Sequence, residues 1–240
     1  MRFSHKLKKL MNPLVLRSAR QHIGVVLLSR RFVFALDEAI FKAIDREKFQ
    51  AIYDRHAVTD PGDAWPKYLD LKRWIRTNLQ RIHELDLDWG RRKQILDIGS
   101  GAGYFLFICK WLGHDPLGLD LDELPMYGEM TQMLGIPRVI WRVKAYEPLP
   151  TFEHKFDLIT AFMICFNGHK SPALWEPGEW AFFLDDLETR LKPGGRIQLG
   201  FNRENDGRFY PAKVRQYFLE RGGEIDEQRV TFRPGRAHAR

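Results

Sequence analysis

The stretch Ile95-Leu96-Asp97-Ile98-Gly99-Ser100-Gly101-Ala102-Gly103-Tyr104-Phe105 constrains this chain more than any other. A short apolar run enters three alternating glycines and leaves as a helical pattern, which reads as a buried strand, a tight turn and a helix start. Glycine lets the backbone turn where a Cβ would clash and lets a bound molecule approach closely, while the helix start offers free N–H groups.

From residue 93 onward short apolar runs alternate with helical stretches, the pattern of βαβ units. Strands are expected at Gln94 to Ile98, Pro116 to Asp120, Arg138 to Val143, Phe156 to Phe162, Arg196 to Asn202 and Glu224 to Phe232. Helices are expected near Tyr104 to Leu112, Pro125 to Leu134, Glu179 to Leu191 and Pro211 to Arg221. The expected fold is α/β, a doubly wound, mostly parallel sheet of about six or seven strands flanked by helices, with an N-terminal helical extension. Six strands can be built from the text, because Glu224 to Phe232 reads as one. Sheets of this kind bind ligands at the carboxyl ends of their strands, where the strand order reverses.

Charge divides the chain further. Met1 to Arg31 hold eight Lys and Arg and no acid, so of the net +7 the leader carries +8 and residues 32 to 240 carry −1. This balance argues against nucleic acid as the partner of the globular part. The leader's apolar run, Val25 to Leu28, is too short to span a bilayer and has no small-residue cleavage site. Its readings are a solvated tail, a helix packed on the domain, a transit peptide, or a peripheral contact with an anionic membrane surface. Residues 32–92 read as a helical cap, with apolar spacing through Leu36, Ala39, Ile40, Ala43 and Ile44 and again through Leu71, Ile75, Leu79 and Ile82, broken at Thr59 to Asp63. The α/β domain follows over 93–232, and 233–240 is a basic tail. Two isolated cysteines, Cys109 and Cys165, fit a reducing cytoplasm, with any membrane contact peripheral and through the leader. No metal site is expected, since zinc, EF-hand and phosphate-loop spacings are all missing from the sequence.

The glycine run is GxGxG, and a dinucleotide fingerprint would require glycine where Tyr104 stands. Asp97, two residues before the first glycine, would repel a pyrophosphate but suits a ligand with a cationic amine. Asp120 ends the next strand 21 residues after Gly99, where a carboxylate can accept hydrogen bonds from the two hydroxyls of a ribose. Together they favour a nucleoside cofactor that carries an amino acid.

The ordered segments ILDIGSGAG, GLD, FDLITAF and LKPGGRIQLGF, spanning residues 94 to about 202, resemble the motif set of class I, Rossmann-like S-adenosylmethionine-dependent methyltransferases. That resemblance implies S-adenosyl-L-methionine as cofactor, with Asp97, Gly99, Ser100, Gly101 and Gly103 facing its methionine part and Asp120 and Leu121 facing ribose and adenine. It also implies a seventh, antiparallel strand, for which little sequence remains. Many relatives place an acid after the third strand to hold the adenine amino group, whereas this chain has Lys144 there. Either a backbone group of Ala145 or Tyr146 contacts adenine, or the correspondence shifts by one or two residues.

Methyl transfer needs the acceptor aligned with the methyl carbon, and a base only when the acceptor must lose a proton. After the fourth strand, where such enzymes place acceptor-facing groups, His169 is the candidate base and Asn167 the candidate orienting group, with Glu176 behind them. Cys165 reads as a small apolar residue, and Trp175 either stacks on an acceptor or packs at a helix start. The function expected is methylation of an O or N nucleophile on a small-molecule or lipid-like acceptor. The alternative is a non-catalytic methyltransferase-like binding module.

Overall fold

A computed structural model of the chain describes residues 32–58, 65–88 and 90–235. The leader 1–31, the break at Thr59 to Asp63 and the last five residues of the tail lie outside the described residues. The chain forms two units, Met1–Ile44 and Asp45–Arg240. In the first the described element is α1 (Phe32–Lys42). Among the described residues no helix is long and apolar enough to cross a membrane.

The second unit begins with α2 (Arg46–His56), a 3₁₀ turn (Trp65–Leu69) and α3 (Leu71–Glu84). Each α-helix starts at an aspartate whose side chain satisfies a free N–H: Asp45 accepts from Lys48 N at 3.1 Å and Asp70 from Arg73 N at 3.0 Å. In α3 the buried residues Leu71, Ile75, Asn78, Leu79 and Ile82 follow helical spacing, so one face enters the core and the other meets water.

The sheet is built from β1 (Gln94–Ile98), β2 (Asp115–Asp120), β3 (Arg138–Ile140), β4 (Phe156–Ile164), β5 (Leu191–Phe201), β6 (Glu224–Asp226) and β7 (Arg229–Phe232). The helices between them are α4 (Tyr104–Trp111), α5 (Pro125–Met133), α6 (Pro177–Thr189) and α7 (Ala212–Glu220). Strand order is β3-β2-β1-β4-β5-β7-β6, parallel except that β7 runs antiparallel to both β5 and β6. The winding reverses at β1, whose neighbours are β2 on one side and β4 on the other. Their carboxyl ends therefore open a crevice at β1.

Seven strands stand where six were built from the sequence. Glu224 to Phe232 is a hairpin, turning at Glu227 with φ +50°, and each arm is too short to show period-2 alternation by itself. The third strand ends at Ile140, earlier than expected. The fifth begins at Leu191, taking in the Pro193-Gly194-Gly195 segment, where its pairing with β4 is irregular. On one side of β4, β5 and β7 lies an aromatic core in which Trp180, Phe201, Phe218 and Phe232 are fully buried.

Candidate active site

The crevice is a cleft of about 530 Å³ at the carboxyl ends of β1, β2 and β4. Its floor is the glycine turn. Gly99 and Gly101 have φ of +75° and +54°, and the space where a Cβ would stand is open at Gly99 and almost so at Gly101, whose nearest atom is Tyr127 Cζ at 3.9 Å. Bare backbone thus faces the cleft at both. Gly103 has a different reason: φ is +77° and a Cβ would meet Thr131 Cγ2 of α5 at 2.9 Å, so glycine there permits helix packing. The Ser100 hydroxyl points at Gly118, 2.7 Å from where a Cβ would stand on β2, and has no hydrogen-bond partner among the described residues. Ser100 therefore turns its side chain toward the sheet.

Two carboxylates flank this turn. Asp97 is buried, and its Oδ1 accepts from the hydroxyl of Thr160, its register partner on β4, at 2.7 Å. Burial pushes its carboxyl up to about 7, although Thr160 and the nearby Arg81 charge pull the other way. Asp120 accepts from Gly101 N through Oδ2 and from Leu121 N, at 2.7 Å, through Oδ1. It links the end of β2 to the glycine turn. Burial raises its carboxyl while these two N–H groups lower it. Neither acid forms an ion pair among the described residues.

The helical cap supplies the opposite wall, a contribution invisible in the strand motifs. Tyr68, Trp74, Asn78 and Arg81 all line the cleft. The Arg81 guanidinium lies 4.2 Å from the Phe162 ring centre, donates to Asn78 Oδ1 at 2.9 Å and pairs with no carboxylate among the described residues. Tyr104, the residue that breaks the dinucleotide fingerprint, donates its hydroxyl to Tyr68 O at 2.7 Å and so ties the 3₁₀ turn to α4. Arg81 stands beside the buried stripe of α3, and only the packing of α3 on the sheet brings it near Asp97.

Leu121 lines the cleft, and so do Trp141, Arg142 and Val143. Ala145 does not; it packs against the hydrophobic core. Because β3 stops at Ile140, the chain leaves the sheet early and the turn at 144–147 runs toward α6. There the Tyr146 hydroxyl approaches Gly178 and its ring meets Phe182, 6.0 Å away. At this edge the cleft is thus lined by residues 141–143, and not by Ala145 or Tyr146, where the adenine contact was expected.

The residues of the β4–α6 loop that reach the cleft are Cys165, Phe166 and Gly168. His169 and Asn167 do not line it. His169 Nδ1 lies 2.9 Å from Glu204 Oε1, and Glu204 Oε2 accepts from Lys170 N at 2.8 Å, so this acid clasps the loop after β4 to the loop after β5. Asn167 is buried, its carbonyl accepts from Trp175 N at 2.8 Å, and its Oδ1 has no partner. Trp175 is buried among Phe166, Trp180 and Phe183, which makes it a packing residue. Glu176 begins α6 and pairs with Lys213. Burial raises the Cys165 thiol, which accepts from Asn202 Nδ2 at 3.3 Å. Among the described residues no cluster of three or more His, Cys, Asp or Glu could hold a metal ion.

No protein-family model matches the sequence. No curated protein matches it either. Solved structures do resemble it in fold. DesVI of Streptomyces venezuelae is 12% identical, with a TM-score of 0.52 over 74% of this chain and 100% of that one. The N-methyltransferase NodS from Bradyrhizobium japonicum WM9 is 18% identical, with a TM-score of 0.47 over 68% and 98%. SAM-bound CalS10, an amino pentose methyltransferase from Micromonospora echinaspora, is 18% identical, with a TM-score of 0.42 over 59% and 58%. At these identities the likeness is one of fold.

Proposed function

We propose, for a chain whose fold is the class I, Rossmann-like methyltransferase fold, that the cleft binds S-adenosyl-L-methionine and that the protein methylates a small-molecule or lipid-like acceptor. One observation carries this reading. Two bare-backbone glycines, Gly99 and Gly101, lie between two carboxylates, Asp97 and Asp120, that have no cationic side chain paired to them among the described residues. That donor set fits a ligand with a cationic amine at one end and a ribose in the middle, and it disfavours a pyrophosphate.

Asp97 is the partner for the ammonium. Arg81, whose guanidinium has unused donors beside the same floor, is the partner for the amino-acid carboxylate. Asp120 retains lone pairs for the ribose hydroxyls after accepting from Gly101 and Leu121. Leu121, Trp141 and Val143 offer apolar contact for the base. When bound, the cofactor supplies an electrophilic methyl group on a sulfonium.

The chain's own part is mainly orientation, which can supply much of the rate of a displacement. Tyr68, Trp74, Tyr127, Phe162 and Met163 present aromatic and apolar surface that suits a small or lipid-like acceptor and excludes water. With His169 and Asn167 outside the cleft wall, their expected catalytic roles lose support, and a nucleophile reactive without proton removal, such as a neutral amine, is favoured.

Calorimetric titration with S-adenosylmethionine, with NAD as control, tests the reading. Wild type should bind the first and not the second. Asp120→Ala should weaken binding by about tenfold or more, since hydrogen bonds to a charged group are lost. A melting curve checks that the variant folds, because Asp120 also holds Gly101. Release of S-adenosylhomocysteine with acceptor mixtures separates an enzyme from a binding module. Absence of S-adenosylmethionine binding by the wild type would overturn both.

A further inference from the structure

At the amino-terminal ends of the strands, opposite the cleft, lies a second hollow of about 800 Å³. Cations reach it from four separate segments: Lys93 before β1, Lys155 before β4, Lys192 and Arg196 in the first part of β5, and Arg233 after β7. Two acids line it, and both are engaged. Asp157 accepts from Lys192 Nζ at 2.8 Å and from Gln94 N at 2.7 Å, and Glu188 accepts from Arg221 at 2.8 Å. Around the rim, Arg233 pairs with Glu224, and Arg196 has a 3.9 Å contact with exposed Asp86.

Among the described residues Lys93 and Lys155 form no ion pair. Lys93 Nζ donates to the Asp86 carbonyl at 3.3 Å. Lys155 is exposed, with no ion pair among the described residues. Burial and the approach of Arg196 hold the Lys93 ammonium below its ordinary range, and Arg233 acts on Arg196 in the same sense. Like charges are therefore crowded here, and Asp86, Asp88 and Asp157 offset them only in part. The backbone is also bare here: at Gly194 and Gly235, φ +76° and +84°, nothing stands within 4 Å of a Cβ position. Converging cations beside open main chain are the makings of an anion cradle. The net −1 of residues 32 to 240 conceals this segregation.

We propose that this basic hollow binds a small phosphate-bearing anion. Its cations converge on one concavity of small-ligand size, whereas a nucleic-acid duplex is tracked by cations spread along a stripe. The site is independent of the cleft, since hollow and cleft lie at opposite ends of β1 and β4.

The test is calorimetric titration of the full chain with inorganic pyrophosphate at low ionic strength, with orthophosphate in a second arm. Saturable binding of pyrophosphate tighter than of orthophosphate is expected. Lys93→Gln/Lys155→Gln should weaken it by about tenfold or more, as charge-assisted contacts are lost. Lys213→Gln, whose lysine pairs with Glu176 elsewhere, should bind as wild type does. Should the double variant fail to fold, Lys155→Gln alone removes an exposed side chain with no ion pair among the described residues and should still weaken binding several-fold. No saturable binding by wild type overturns the proposal. So does undiminished affinity in the lysine variants, which would assign the anion to other basic residues such as those of the leader.

Discussion

Asp97 is held in a condition that a strand-end aspartate in water would not meet. It is buried, its one hydrogen-bond donor among the described residues is the Thr160 hydroxyl, and its carboxyl is raised to about 7. In the unfolded chain it would titrate near 3.8, so between about pH 4 and 7 the folded state holds a proton that the unfolded state has released. This group therefore makes the ligand-free protein less stable as pH rises through that window, and its contribution levels off above about 7. Cofactor binding has the opposite sense, because a cationic amine requires the ionised acid. Affinity for S-adenosylmethionine should fall as pH drops below about 7, by up to about tenfold per unit, with proton release on binding. Titrations in buffers of different ionisation enthalpy would show it, and a pH-independent affinity without proton release would falsify the pairing of Asp97 with the ammonium. Asp97, Gly99, Gly101 and Asp120 were legible in the sequence because strand, turn and carboxylate lie within a short span. Arg81 and Thr160 were not, since only packing of α3 and pairing of β4 bring them to Asp97.

At the scale of elements, the end of β4 forms one wall of the cleft and Asn202, just after β5, holds it. Pairing between them is irregular from Ala161 to Ile164, and Met163 takes φ +55°, a left-handed conformation that a long side chain rarely adopts. The Asn202 side chain donates to Met163 O at 2.9 Å and Ile164 O at 3.2 Å, holding that irregularity in place. Asn202→Ala should cost about 1–3 kcal/mol, the value of losing donors to partly buried carbonyls beside a strained residue. Urea unfolding would measure it, and a change within about 0.5 kcal/mol, ordinary for a surface site, would count against the clamp. Helices were the more legible elements: α4, α5, α6 and α7 all lie within a residue or two of their expected spans. β3 and the β6–β7 hairpin were not, because three- or four-residue strands are defined by their partners more than by any alternation of their own.

For the whole molecule, stability rests on the aromatic cluster between the sheet and its flanking helices. Trp180 of α6 makes edge contacts with Trp175, Phe201 and Phe218 at 5.1–5.4 Å, joining α6, β5 and α7. Trp180→Ala should lower unfolding free energy by about 3–5 kcal/mol, a large part of the roughly 5–15 kcal/mol typical of a domain. Denaturant titration would report it as a lower midpoint, and a loss below about 1 kcal/mol would mean that the cluster does not join these elements. The sequence by itself determined the α/β class, the glycine turn and the acid of the second strand, because those depend on local periodicity and on contacts between adjacent segments. Only the tertiary structure decided that the cap contributes Arg81, that His169 is turned to Glu204, and that distant lysines and arginines converge beneath the sheet. These juxtapositions join residues far apart in the chain, and they follow from how helices and strands pack, which no local pattern encodes.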